Sequence, residues 1–326
     1  MHFSRALLLA CGIASAQAFP TLEDSLPSFA AVKRTISDLL PARSAPLTAR
    51  SGTCPPVWNT ITADLTAMFL SNGQCNDDAR AAIREAFHDC GTWNKAQGST
   101  GGCDGSLILA GETTRAENNG LQDISNKLLA LARKRGVGVA DMIQFAAAHA
   151  VLTCPQGPRV TTYVGRNDSS KPSPDGLLPD VHASGDSLFT LFQDKGFSAV
   201  DLAALIGAHT TSKQFFVDTT KAGQPQDSTP GIWDVNFYSE TLKPPAGVFR
   251  FDSDKNLANQ SQVGPEFQGF VNNQGKWNGK FADAMMRMSL LGVPGGSANL
   301  IDCTGALPAG TKKRDIKAAP INDRIR

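Results

Sequence analysis

The chain has 326 residues, 41% of them hydrophobic, with 31 basic side chains against 30 acidic ones. A formal charge of +1 supplies no field for tracking phosphates, and 19% charged residues are too few to hold a chain open by repulsion, so nucleic-acid binding and disorder are set aside. The length suits one large unit or two modest domains, with a core able to enclose a cofactor.

At the N-terminus, Arg5 precedes the apolar run Ala6 to Ala14, and Ala16-Gln17-Ala18 has the small-residue pattern of a secretory cleavage site. Residues 1–18 are read as a signal peptide, and Lys33-Arg34 as a trimming site closing a propeptide over 19–34. The apolar run is too short to span a bilayer and no longer one follows, so the expected product is exported, soluble and free of the membrane. Losing Cys11 with the signal leaves Cys54, Cys75, Cys90, Cys103, Cys154 and Cys303. Six cysteines in an exported protein favour three disulfides, with fifteen pairings open on this evidence, and no C-x-x-C pair offers a metal alternative. Asn167-Asp168-Ser169 and Asn259-Gln260-Ser261 are candidate glycosylation sequons.

Apolar residues recur at helical spacing over Trp58 to Leu70, Asp77 to Asp89, Ile124 to Arg135, Ala140 to Leu152, Leu188 to Phe192, Ala199 to His209 and Phe267 to Leu291. Alternation of the strand type is rare. Gly- and Pro-rich stretches punctuate these helices as loops. The pattern predicts a mainly α protein, and the loop from Ser169 to Pro179 is the natural boundary between an N-terminal half over 35–175 and a C-terminal half over 176–305, with a tail over 306–326.

In Arg84-Glu85-Ala86-Phe87-His88-Asp89, Arg84 and His88 stand four apart and share one helical face, whereas Asp89 is turned about 100° away. One face can therefore hold an acid/base pair. Asp89 points elsewhere, and Gly102-Cys103-Asp104-Gly105-Ser106 follows as a loop of hard oxygen donors suited to calcium. Taken alone, this string also fits an amphipathic helix ending in a solvated His-Asp. With Glu112 and Asn118 six apart and Gly120-Leu121 behind them, however, it resembles the distal side of the plant, fungal and bacterial haem peroxidase superfamily, most closely its secreted fungal (class II, ligninase-like) branch. That resemblance implies that Asn118 orients His88, that Phe87 marks a secreted branch, and that a first calcium is held by Asp89, Gly102, Asp104 and Ser106.

The apolar stretch Asp201 to Thr210 carries one late histidine, and Asp227-Ser228-Thr229-Pro230-Gly231-Ile232-Trp233-Asp234 follows. Both resemble the proximal side of the same family. The resemblance implies haem b held by His209, with Asp254 of Arg250-Phe251-Asp252-Ser253-Asp254 accepting from its ring, and a second calcium held by Thr210, Asp227, Thr229, the Ile232 carbonyl and Asp234. It also implies a two-domain fold with haem between distal and proximal helices, long calcium-binding loops and little β structure. Disulfides Cys54–Cys303 and Cys75–Cys154 match family pairs, which leaves Cys90–Cys103 as a departure from the ligninase branch.

The activity so implied is reduction of hydrogen peroxide and one-electron oxidation of small phenolic or aromatic donors by a monomer. The positions matching the family's manganese site are Asp77, Ala81 and Phe215, only one of them a carboxylate, and the position of the surface Trp that relays electrons is Ala204. Gln226 replaces an aromatic that usually packs on the proximal ring. A non-catalytic, calcium-stabilised secreted protein of the same fold is the alternative. Gly185-Asp186-Ser187-Leu188 spells an esterase nucleophile motif, but nothing after His209 is histidine, so the serine is read as a helix cap. His149, on an apolar helix with no calcium loop behind it, is read as structural.

Overall fold

The computed structural model describes residues 52–98 and 100–312. The signal-peptide and propeptide readings, Cys11 and the tail beyond residue 312 lie outside the described residues.

Eleven α-helices are described: α1 Val57–Phe69, α2 Asp77–Cys90, α3 Ser106–Leu109, α4 Gln122–Arg135, α5 Val139–Thr153, α6 Gly185–Lys195, α7 Ala199–Ile206, α8 Asn236–Leu242, α9 Asp252–Asn259, α10 Val263–Gln268 and α11 Gln274–Met288. Four two-residue strands pair as antiparallel ladders, β1 Leu70–Ser71 with β2 Gln74–Cys75 and β3 Tyr163–Val164 with β4 Ile301–Asp302. The mainly α expectation holds. Among the described residues no single helix is long and apolar enough to cross a membrane.

The extensive helix contacts fall into two sets. In the first, α1, α2 and α4 pack around α5, whose fifteen residues are all buried. Asp168 caps α5 from a distance, its carboxylate accepting from Val139 N at 2.9 Å and Ala140 N at 2.8 Å, which satisfies two of the helix's unpaired amides. In the second set, α7 packs on α10 and α11, and α9 packs on α6 and α10. Disulfides join Cys54 to Cys303 and Cys75 to Cys154, the pairs the resemblance implies, and Cys90 to Cys103, the bond expected as a departure from the ligninase branch.

Three boundaries differ from the sequence reading. The 199–209 stretch is helical only to Ile206 and then tightens into a 3₁₀ turn over Gly207–Thr211. Side chains brace the turn: Tyr238 Oη donates to Ala203 O at 2.8 Å and Trp277 Nε1 to Ala204 O at 2.9 Å, the latter carbonyl also accepting from Gly207 N. Gly207 permits that approach, since a Cβ there would sit 2.2 Å from Tyr238 Oη. The 267–291 stretch is two elements, because α10 ends at Gln268 and α11 begins only after Asn273, whose side chain accepts from Lys276 N. Finally, the helix containing Ser187 is capped by Ser184, whose Oγ accepts from Ser187 N at 3.2 Å, so Ser187 is the capped residue and not the cap.

Candidate active site

Helix α2 forms because Asn76 caps it, accepting from Ala79 N at 3.1 Å, and because Asp77 and Asp78 complement its N-terminal dipole. One face, with Ala79, Ala82, Ile83 and Ala86, is buried in the first helix set. Arg84 and His88 share a different stripe, and Arg84 Nε donates to His88 Nε2 at 3.1 Å. The arginine is anchored at its far end, where Nη1 donates to Asn119 O at 2.8 Å and Nη2 to Glu117 O at 3.0 Å.

Asn118 is fully buried and its amide has one sensible orientation, because Nδ2 donates to Glu112 O at 2.9 Å. That turns Oδ1 toward His88 Nδ1, 2.7 Å away. The proton therefore belongs on Nδ1, leaving Nε2 as the basic atom beside the guanidinium. Burial, reinforced by the Arg84 charge and opposed by the Asn118 contact, pushes the His88 pKa down to about 3. The residue as a whole is half-buried.

On the second helix set, His209 Nδ1 lies 3.0 Å from Asp254 Oδ1, and that carboxylate is fully buried. With Nδ1 donating, the lone pair of His209 sits on Nε2, on the far side of the ring and a third of the side chain is accessible. Phe237 and Phe251 meet the ring edge-on, each at 5.7 Å. Asp254 has a second partner that the sequence does not disclose. Gln226, fully buried in place of the expected aromatic, donates from Nε2 to Asp254 Oδ2 at 2.9 Å.

Segment 177–183 ties the two sides together. Lys195 Nζ donates to Leu177 O and Trp93 O, the Leu178 side chain closes on Gly91 at the end of α2, and Val181 O accepts from Ser253 N next to Asp254. Phe87, Leu205, Ile206, Ala208 and Phe251 leave apolar surface partly exposed around the two histidines. The chemistry of these residues fits haem: a nitrogen lone pair able to take iron, a proton-handling pair, and apolar side chains left partly exposed near each histidine.

Both oxygen-donor loops assemble. Asp89 accepts from Gly105 N at 3.1 Å and Leu107 N at 3.3 Å, and Asp104 accepts from Ser106 N at 3.0 Å. Gly102, at φ +92°, lies where a Cβ would collide with Leu291 O, so its backbone can close the loop only as glycine. Burial and the neighbouring Asp104 raise the Asp89 pKa well above the carboxylate range. In the second loop Thr210 Oγ1 donates to Asp227, Thr229 Oγ1 donates to Asp234 Oδ2 at 2.9 Å, and Ile232 lies in the turn closed by Ile232 N donating to Thr229 O. Burial pushes the Asp227 pKa up to about 7, with Asp234 and Glu240 contributing repulsion. Crowded carboxylates with hydroxyl and carbonyl neighbours fit calcium.

The remaining candidates separate cleanly. Asp77 is ion-paired with Arg80 and with Lys213 at 3.3 Å, and Phe215 is exposed. Ala204 is buried. Of the tryptophans and tyrosines that could relay electrons in place of that indole, Trp58, Trp233, Trp277 and Tyr238 are buried, whereas Trp93 and Tyr163 are partly exposed. His149 is fully buried, with Thr66 Oγ1 at 2.9 Å and Thr153 Oγ1 at 3.2 Å from its ring nitrogens, in keeping with a structural role. His182 Nδ1 lies 2.8 Å from Asp252 Oδ2 at the surface. Asn167 and Asn259 are both exposed.

The family model described as Peroxidase matches residues 61–273. Manganese peroxidase 3 of Phlebia radiata is 32% identical over 87% of this chain and 91% of its own length. Ligninase C of Trametes versicolor is 32% identical over 82% of each chain, and a peroxidase of Arthromyces ramosus is 31% identical over 84% of this chain and 80% of its own.

Proposed function

The chain belongs to the peroxidase family, within its fungal class II branch, and on that premise we propose that it is a secreted haem enzyme that reduces hydrogen peroxide and oxidises small phenolic or aromatic donors one electron at a time. The observation that carries the reading is the pair of oppositely prepared imidazoles, His88 with a basic Nε2 beside Arg84, and His209 with Nδ1 spent on Asp254.

His209 would hold haem b through Nε2, and Asp254 would make that nitrogen a stronger donor. Bound haem would supply the iron at which peroxide is reduced and through which donors return two single electrons. The protein's own contribution is proton traffic and charge. His88 Nε2 takes a proton from one peroxide oxygen and delivers it to the other, which leaves as water. Arg84 stabilises negative charge on the departing oxygen, and its anchors on Asn119 and Glu117 hold the guanidinium in place beforehand. The net change is hydrogen peroxide plus two protons and two electrons to two water molecules.

Calcium at Asp89, Gly102, Asp104 and Ser106 would brace the end of α2, and calcium at Thr210, Asp227, Thr229, Ile232 and Asp234 would brace the turn carrying His209. The donor preference follows from the rim: Asp77 is occupied by two cations, and a single carboxylate with Phe215 and Ala81 at the other two positions makes a poor manganese site. Ala204 offers no surface indole. Low-molecular-weight aromatics are the substrates that remain. The leader sequence, three disulfides and two exposed sequons support export and glycosylation.

An optical spectrum of the purified protein before and after one equivalent of peroxide tests the reading, followed by turnover of phenols with and without manganese. A Soret band that shifts with peroxide is expected. A spectrum without that band supports the non-catalytic alternative, and turnover dependent on manganese would overturn the donor assignment.

A further inference from the structure

Gln226 is fully buried, and its backbone is fixed by donation from Gln226 N to Ser212 O at 3.0 Å. Its Nε2 lies 2.9 Å from Asp254 Oδ2 and 3.4 Å from His209 Nδ1. Because Nδ1 donates to Asp254 Oδ1, the amide cannot also donate to that nitrogen. Two donors, one from the imidazole and one from the amide, therefore converge on the two oxygens of a single carboxylate. The other amide atom, Oε1, is buried with no hydrogen-bond partner among the described residues. A buried amide that leaves its oxygen unsatisfied costs stability that an apolar side chain would not. Such a position calls for an explanation, and the one contact the amide makes is with Asp254.

We infer that Gln226 is a positioning and tuning residue that draws charge from Asp254 and so weakens the carboxylate's pull on the His209 Nδ1 proton. The inference rests on His209 serving as the haem ligand. A carboxylate engaged by one donor makes the imidazole more anionic and favours the oxidised metal. Sharing that carboxylate with a second donor reverses part of the effect and raises the ferric/ferrous midpoint potential. A phenylalanine at the same position would fill the space without a donor for the carboxylate.

The test compares haem-loaded wild type with Gln226→Met, which keeps the length and lacks the donor, and with Gln226→Phe. Both are measured for ferric/ferrous midpoint potential by spectroelectrochemistry and for the iron–histidine stretch of the ferrous protein by resonance Raman. Both variants are expected to show a lower potential and a higher stretching frequency. In an Asp254→Asn background, Gln226→Met is expected to shift neither. Unchanged potential and stretch in the two single variants would overturn the inference, as would the same shift with and without Asp254, or loss of haem binding in both variants, since tuning leaves the site assembled. An absent iron–histidine band in the wild type would instead defeat the ligand assignment, a distinct failure.

Discussion

Asn118 Oδ1 sits 2.7 Å from His88 Nδ1 across thirty residues of chain, while the other end of the same amide is held by the Glu112 carbonyl. The asparagine cannot turn over without losing both contacts, so the tautomer of His88 is set by a residue in a different element. Asn118→Leu is expected to leave haem bound and to slow the bimolecular reaction with peroxide at least about tenfold. His88→Ala is expected to slow it by roughly 10²–10⁴, the range for loss of a positioned acid/base. Stopped-flow mixing with peroxide reads both, and unchanged rates would remove His88 and Asn118 from the proton path.

The low pKa of His88, about 3, gives the pH dependence its direction. Nε2 is available as a base at every pH well above that value and is lost as pH falls through it. The peroxide-dependent rate is therefore expected to stay level from neutrality to about pH 4 and then to decline. Replacing Arg84 with Leu removes a charge that helps depress the pKa, so the decline should move to higher pH as the rate itself drops. A limb that stays in place in Arg84→Leu would rule out that electrostatic link.

Glu85, next to Arg84 but facing α4, is fully buried and accepts from Ser125 Oγ, while its Oε2 has no partner among the described residues. Burial pushes its pKa up to about 8. An acid whose pKa rises on folding holds its proton in the native state while the unfolded chain releases it, so stability falls as pH climbs from about 4.5 to 8. Glu85→Gln does not ionise. The stability difference between variant and wild type should widen in the variant's favour across that window, measured by denaturant unfolding at pH 5 and 8. A difference independent of pH would show that Glu85 is not held protonated.

Calcium removal offers a test of the two oxygen-donor loops. A ligand bound only by the folded protein stabilises it by about 2.7 kcal/mol at a hundredfold excess over its Kd. Chelation is expected to lower the thermal midpoint, with recovery on adding calcium. Asp227→Ala should reduce the response by removing one site, whereas a midpoint insensitive to chelator in the wild type would argue that neither loop holds the ion.

Short helices were the elements least legible in the sequence. Helices α8, α9 and α10 have seven, eight and six residues, too few for a 3.6-residue period to declare itself. The break between α10 and α11 escaped for the opposite reason, since apolar residues continue through it. Ser184 took the capping role from Ser187 because a cap depends on backbone conformation at the helix entrance.

The amino-acid order by itself determined what local geometry transmits. Arg84 and His88 share a face because four residues make about one helical turn, and the spacing of the oxygen donors in two loops carried the family likeness. Packing alone decided the rest. That Asn118 presents its oxygen to His88, that Gln226 spends its amide on Asp254, and that Gly207 lets Tyr238 and Trp277 close on the turn before His209 all depend on side chains brought together from distant elements. The physical reason is range. A helix repeats every few residues whatever surrounds it, but the direction of an amide is fixed only by the partners that the folded chain places at its two ends.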